Sequence, residues 1–112
     1  MAIDPGDIDA QEAARLAGAG EVLLLDVREA DEWAAGHAAA ATHIPMGQLR
    51  PAMLPADQVI IAVCRSGHRS GAVAEALRGL GLDARNLAGG MQSWVRSGLP
   101  VVGADGRPGT IR

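Results

Sequence analysis

The 112-residue chain has one cysteine, set in the stretch IIAVCRSGHRSGAVAEAL, residues 60–77. An apolar run stops at Cys64. Arg65, Ser66, Gly67, His68, Arg69 and Ser70 follow before a helical pattern begins. Small residues at Ser66 and Gly67 let the chain curl tightly, so that successive backbone N–H groups face inward and make an anion-holding nest. A helix starting near Arg69 or Ser70 adds its positive N-terminal end. A thiol at the focus of those donors ionises more readily, and the thiolate is the nucleophile. The same cradle would hold a tetrahedral oxyanion against the sulfur.

A lone cysteine after an apolar strand is ordinarily a small buried hydrophobe. What argues otherwise is the company it keeps, because an inert core cysteine has no need of Arg-Ser-Gly-His-Arg-Ser beside it. Taken singly, Ser70 reads as a helix N-cap and Arg65 as a solvated surface charge. Only the combination is informative.

The elements that must position this loop are readable from pattern. DAQE, 9–12, has the form of a capping box with Asp9 as N-cap, and Ala13, Leu16 and Ala17 share a helical face as far as Gly18. EVLLLDV, 21–27, and QVIIAV, 58–63, are short continuous apolar runs, as expected of strands covered on both faces. READEWAAG, 28–36, predicts a short helix, THIP, 42–45, a short strand, and MGQLRPAML, 46–54, a helical turn or two around Pro51. Val73, Ala76, Leu77 and Leu80 follow a helical period to about Gly81. DARNL is a weak edge or short parallel strand, and GGMQSWVRSGLP a last helix with Met91, Trp94 and Val95 on one face. Strands alternating with helices predict an α/β domain with a mainly parallel sheet, whose functional groups gather beyond the carboxyl ends of the strands. Asp26 and Cys64 then share an edge. The domain runs over 1–102, and 103–112, rich in glycine and proline, reads as a loosely held tail.

Composition narrows the function further. Ten basic against thirteen acidic residues give a net charge of −3, Phe and Tyr are absent, and Trp33 and Trp94 are the aromatics. Neither a phosphate-backbone footprint nor a base-stacking platform is present, which argues against nucleic acid. One cysteine makes no intrachain disulfide, the acidic start MAIDPGDIDA has no apolar signal core, and no apolar run approaches the ~20 residues of a membrane span. The expectation is a cytoplasmic protein with no membrane association.

The motifs, taken together, resemble the rhodanese family. LLLDVREADEWAAGH, 23–37, is similar to its strand-end Asp-Val-Arg-Glu segment and following Gly-His. HIP, 43–45, VCRSGHRS, 63–70, and LAGGMQSWVRSGLPV, 87–101, then match in order, so the likeness covers about residues 7–101. It implies a three-layer α/β domain with a mainly parallel central sheet of about five strands. It also implies a sulfurtransferase. Cys64 attacks the outer sulfur of a donor such as thiosulfate, keeps it as a persulfide and passes it to cyanide, a small thiol or a protein thiol. Arg65, Ser66, Gly67, His68 and Arg69 become the substrate-binding loop, and no cofactor is implied. No second cysteine exists to collapse the persulfide internally. Four residues separate Cys64 from Arg69, the short loop of sulfur-handling members; relatives that act as phosphatases or reduce arsenate carry one more. A sulfur carrier or regulatory module needs the same intact loop.

The supporting residues have plainer expectations. Asp26 fixes the turn after its strand by accepting backbone N–H groups. Arg28 forms a solvated salt bridge with Asp26 or Glu29. His37 packs and makes a backbone hydrogen bond, His43 has less claim to chemistry, and His68 lines the loop mouth or points to solvent. Trp33 and Trp94 pack on helical apolar faces. No histidine pair has ligand spacing with Cys64 or a carboxylate cluster, so no metal site is expected.

Overall fold

A computed structural model of the chain describes residues 6–112; the opening five residues of the acidic start lie outside the described residues. Five parallel strands form one sheet in the order β1-β5-β4-β2-β3. They are β1 (Asp7–Ile8), β2 (Val22–Asp26), β3 (Thr42–His43), β4 (Val59–Val63) and β5 (Ala84–Leu87). The helices are α1 (Ala10–Gly18), α2 (Ala30–Ala35), α3 (His68–Gly79) and α4 (Gly90–Arg96), with 3-10 turns at Met46–Gln48 and Pro51–Met53. The expected α/β class with a parallel sheet of five strands is what the chain adopts.

Strand alternation divides the core into two. Leu24, Ile61, Val63 and Leu87 face α1 and α4, where Ala13, Met91 and Trp94 complete a cluster. Leu25, Ile60, Ala62 and Ala84 face α3, where Val73, Ala74 and Leu77 meet them. The period of two along β4 carries straight on to Cys64, which belongs to the α3 side. Asp26 pairs in register with Val63, so the two polar strand ends are neighbours, as expected.

Several elements differ in detail. β1 has no sequence signal of its own, because two residues cannot show a period; it exists by pairing Asp7 with Asn86 and Ile8 with Leu87. That pairing makes β5 an interior strand rather than an edge. Val95 is exposed, while Met91 and Trp94 are buried, so the apolar face of α4 is narrower than its sequence suggests. Asp9 caps α1 by accepting from Glu12 N at 2.8 Å. Residues 103–112, expected to be a loose tail, lie against α2: Ala104 N donates to Ala34 O and Thr110 N to Ala35 O, both at 2.9 Å. A Cβ on Gly36 would strike the backbone of Thr110, so the missing side chain permits this approach. No helix among the described residues is long and apolar enough to cross a membrane.

Candidate functional site

β4 delivers Cys64 to the carboxyl edge of the sheet, and the loop turns back over it at once. Gly67, at φ +101°, is the N-cap of α3 and takes a left-handed conformation that glycine adopts without strain. That turn aims Gly67 N at Cys64 Sγ, 3.1 Å away. Ser70, one turn into α3 and fully buried, places its hydroxyl 3.2 Å from the same sulfur. It is not the plain N-cap that its sequence position suggests, since Gly67 holds that place and the Ser70 side chain points inward. Cys64 is 1% exposed, yet its sulfur meets donors rather than only hydrocarbon.

The electrostatic balance at the thiol favours ionisation. Burial pushes its pKa up, but the Ser70 hydroxyl and the backbone N–H groups of Ser70, Gly67 and Ser66 pull it down further, and the net result lies below the ordinary thiol value.

The other side of the loop is fastened to α4. Met91 N donates to Cys64 O at 2.8 Å and Gln92 N to Arg65 O at 3.0 Å. Gly90, at φ +62°, makes this possible, for a Cβ there would collide with both carbonyls. The Gly-Gly pair at 89–90 thus serves the cysteine loop directly.

Of the expected loop residues, the structure brings Ser66 and Gly67 to the sulfur through their amides, while the side chains of Arg65, Ser66 and His68 lie exposed around it. Arg69 is engaged elsewhere: its Nη1 and Nη2 donate to Glu32 Oε1 and Oε2 of α2 at 2.7 and 2.8 Å. The paired guanidinium holds the Glu32 carboxyl down at about 2, and Glu32 in turn raises the Arg69 pKa. Glu32 also accepts from Glu29 N at 3.0 Å, closing a capping box that starts α2. Sequence reasoning missed Glu32. Its signal was the Glu29–Glu32 spacing at a helix start.

Asn86 was missed as well. It faces the α3 side of β5, two residues on from buried Ala84, with Oδ1 2.6 Å from Ser70 Oγ and Nδ2 donating to Gly67 O at 3.1 Å. A polar residue near the carboxyl end of a strand, in phase with a core alanine, was the available signal.

The neighbouring strand end carries Asp26 and Arg28. Asp26 accepts Arg28 N at 3.1 Å, as a turn-fixing Asp should. The Arg28 side chain is not solvated as expected but 0% exposed; it donates through Nε and Nη2 to the Asp26 carboxylate and through Nη2 to Gly36 O at 2.7 Å. The chain folds α2 and the 36–37 segment over it. His37 Nδ1 donates to Trp33 O at 2.7 Å and His43 Nε2 to Arg28 O at 2.8 Å, which leaves both histidines structural. Both rings stack on Trp33, with centroids 3.6 and 4.7 Å away.

A parallel sheet with a sulfur at the carboxyl end of a central strand, under a short amide-lined loop, defines a class of single-cysteine α/β domain. Residues 9–97 match the model of the rhodanese-like domain, and the chain belongs to that family. It is 36% identical to a sulfurtransferase of Allochromatium vinosum over 104 residues, covering 89% of this chain and 97% of that protein. A rhodanese-related protein of Thermoplasma volcanium, known from a crystal structure, superposes with a TM-score of 0.79 at 35% identity, covering 86% of this chain and 96% of that one. An uncharacterized protein of Synechocystis is 34% identical over 80% of this chain, which spans about half (52%) of that longer relative.

Proposed function

We propose that the protein is a sulfurtransferase that moves sulfane sulfur through a persulfide on Cys64. The observation that carries this reading is the sulfur itself, held at 3.1 Å from Gly67 N and 3.2 Å from Ser70 Oγ with its pKa lowered. The thiolate attacks the outer sulfur of a donor such as thiosulfate. The sulfur–sulfur bond of the donor breaks, its electron pair leaves with sulfite, and the transferred atom remains bonded to Sγ. Cyanide or a thiolate then attacks that atom, the bond to Sγ breaks, and the pair returns to Cys64.

Each loop residue has a part in this scheme. The amides of Ser66 and Gly67 face the developing charge, and exposed Arg65 and His68 meet the anionic donor at the mouth. Arg69, saturated by Glu32, supplies positive potential and braces α3 against α2 rather than grasping substrate. The name of the Allochromatium relative supports the transferase reading. A loop of four residues after Cys64 leaves little room for a phosphate ester, so phosphatase turnover is not expected. A lone thiol that must stay reduced suits the cytoplasm. The depth of Cys64, at 1% exposure, favours a second reading in which the domain carries or senses sulfur and turns over slowly.

Incubation with thiosulfate should add one sulfur atom to the intact mass, and cyanide should remove it as thiocyanate. Cys64→Ser should do neither. Thiocyanate release by Cys64→Ser at the wild-type rate would defeat the assignment. A stable persulfide that cyanide discharges only slowly would select the carrier reading.

A further inference from the structure

The Ser70 hydroxyl carries one proton, and two acceptors stand within its reach. Asn86 Oδ1 is the nearer, at 2.6 Å against 3.2 Å for Cys64 Sγ. The carboxamide cannot turn to relieve the conflict. Its Nδ2 donates to Gly67 O, and a flipped amide would set two oxygens against each other there. Nor can the residue withdraw, because its backbone pairs with Ala62 on β4 and Asp7 on β1, and its N–H donates to Gly6 O at 2.8 Å. The oxygen of Asn86 is therefore fixed on Ser70.

The geometry points to Asn86 as a positioning residue that competes with Cys64 for the single proton of the Ser70 hydroxyl, so that β5 governs how readily the sulfur ionises. This rests on the reading of Cys64 as the nucleophile. In the thiol form the Ser70 proton lies toward Asn86 Oδ1 and the S–H donates to the free lone pair of Ser70 Oγ. On ionisation the sulfur proton leaves to solvent base, and the Ser70 O–H rotates from Oδ1 to Sγ with no bond to Ser70 broken. The Asn86 oxygen is then left facing a hydroxyl oxygen without a proton between them, which opposes the change. Once sulfur is loaded the charge lies on the outer atom and the Ser70 proton returns to Asn86.

Other groups around the thiol are accounted for. Arg69 on α3 is paired with Glu32 of α2, the Asp26–Arg28 pair lies at the end of β2, and Arg65 and His68 are exposed in the loop. From α4 the loop meets the backbone of Gly90, Met91 and Gln92, and from β5 the uncharged Asn86.

The test is the pH dependence of alkylation by iodoacetamide, which reads Cys64 alone because the chain has no other cysteine. Ser70→Ala should raise the midpoint. Asn86→Ala should lower it by about half a pH unit or more, the scale of one neutral hydrogen bond. In the Ser70→Ala background, Asn86→Ala should add nothing, since the contested proton is gone. A midpoint that Asn86→Ala leaves in place, raises, or moves equally in both backgrounds overturns the proposal. If Asn86→Ala does not fold, the wild-type protein decides. Asn86 is the only asparagine, so its labelled side-chain carbonyl carbon gives one NMR signal. That signal should move through the thiol midpoint and lose the movement in Ser70→Ala; a signal that is flat, or moves equally in both proteins, overturns the idea. Alkylation requires no sulfur donor. A coupled midpoint without thiosulfate loading would sink the transferase reading alone, and loading without coupling would sink this inference alone.

Discussion

β2 and β4 run side by side, and each delivers a buried polar side chain to the same edge of the sheet. At the end of β2 the Asp26 carboxylate is met by the backbone and guanidinium of Arg28, which reaches on to Gly36 O. Charge meets charge and the guanidinium ties the end of α2 to the strand, although Arg28 Nη1 is buried without a partner. At the end of β4 the Cys64 sulfur is met by one amide and by a hydroxyl whose proton another acceptor also claims. Its hydrogen-bond donors are neutral, and the loop residues Arg65, Ser66 and His68 beside it are exposed. Burial alone does not distinguish these two ends. What distinguishes them is charge: the Asp26 carboxylate is matched by an opposite charge, whereas the Cys64 sulfur meets only neutral donors, one of them shared with Asn86.

The largest effect should come from breaking the charge-paired end. Arg28→Met leaves the Asp26 carboxylate buried without its partner, and removing one member of a buried pair typically costs about 3–5 kcal/mol. Chemical denaturation should show that loss, and Asp26→Asn combined with Arg28→Met should recover much of it. Sulfur loading per folded molecule should stay near wild type. A loading defect in the folded fraction of Arg28→Met would mean that the β2 end is part of the site rather than its frame.

The next effect lies where the cysteine loop meets the closing segment. Gly90→Ala forces a Cβ into the Cys64 and Arg65 carbonyls and onto a left-handed backbone, so the loop must shift or the start of α4 must give. A stability cost of about 1–3 kcal/mol is expected. The sharper readout is functional, because a displaced loop moves the amide of Gly67 off the sulfur. Loading should fall at least as much as stability does, whereas Arg28→Met should separate the two.

Much of this was legible in the sequence, and the exceptions share a cause. EVLLLDV and QVIIAV announced buried strands because a run of branched apolar residues has few other uses. Cys64 stood out because its polar neighbours contradict a core role. What one-dimensional pattern could not reach were relationships between elements. Arg28 looked solvated because the segment that buries it, around Gly36, comes eight residues later. Arg69 looked like a substrate-binding loop residue because its partner Glu32 lies 37 residues earlier on another helix. Ser70 looked like a cap because no local rule places Asn86 opposite it. The tail looked loose because glycine and proline signal irregular backbone, which is also what a close approach to Gly36 demands.

Glu32 allows a smaller test, on pH. Its carboxyl is held at about 2 against an ordinary 4.5, so the folded state binds its proton less tightly than the unfolded state does. The Arg69 pair therefore contributes stability that is fully present above about pH 4.5 and is lost as pH falls through about 2. Because Arg69 is part-exposed, screening reduces the contribution to about 1 kcal/mol or less. Wild type should lose stability between about pH 5 and 2 more steeply than Glu32→Gln, and the two curves should converge at the acid end of that range. Parallel curves across that range would show that the pair is solvated and does not brace α3.

The smallest structural effect belongs to the cysteine end and sharpens the comparison most. Arg65 makes its loop contact through its carbonyl, which Gln92 N already fills, and its side chain is exposed. Arg65→Ala should therefore change stability by no more than about 0.5 kcal/mol. If the loop takes an anionic donor as proposed, a charge at its mouth steers that donor, and steering weakens with salt. Thiosulfate loading should slow several-fold at low ionic strength, and the gap to wild type should close as salt rises. The alkylation midpoint should barely move, since neutral iodoacetamide is not steered and the donors at the sulfur are untouched. A variant that instead lost stability and kept its loading rate would place Arg65 with Arg28, as part of the frame, and the division between the two strand ends would fail at that residue.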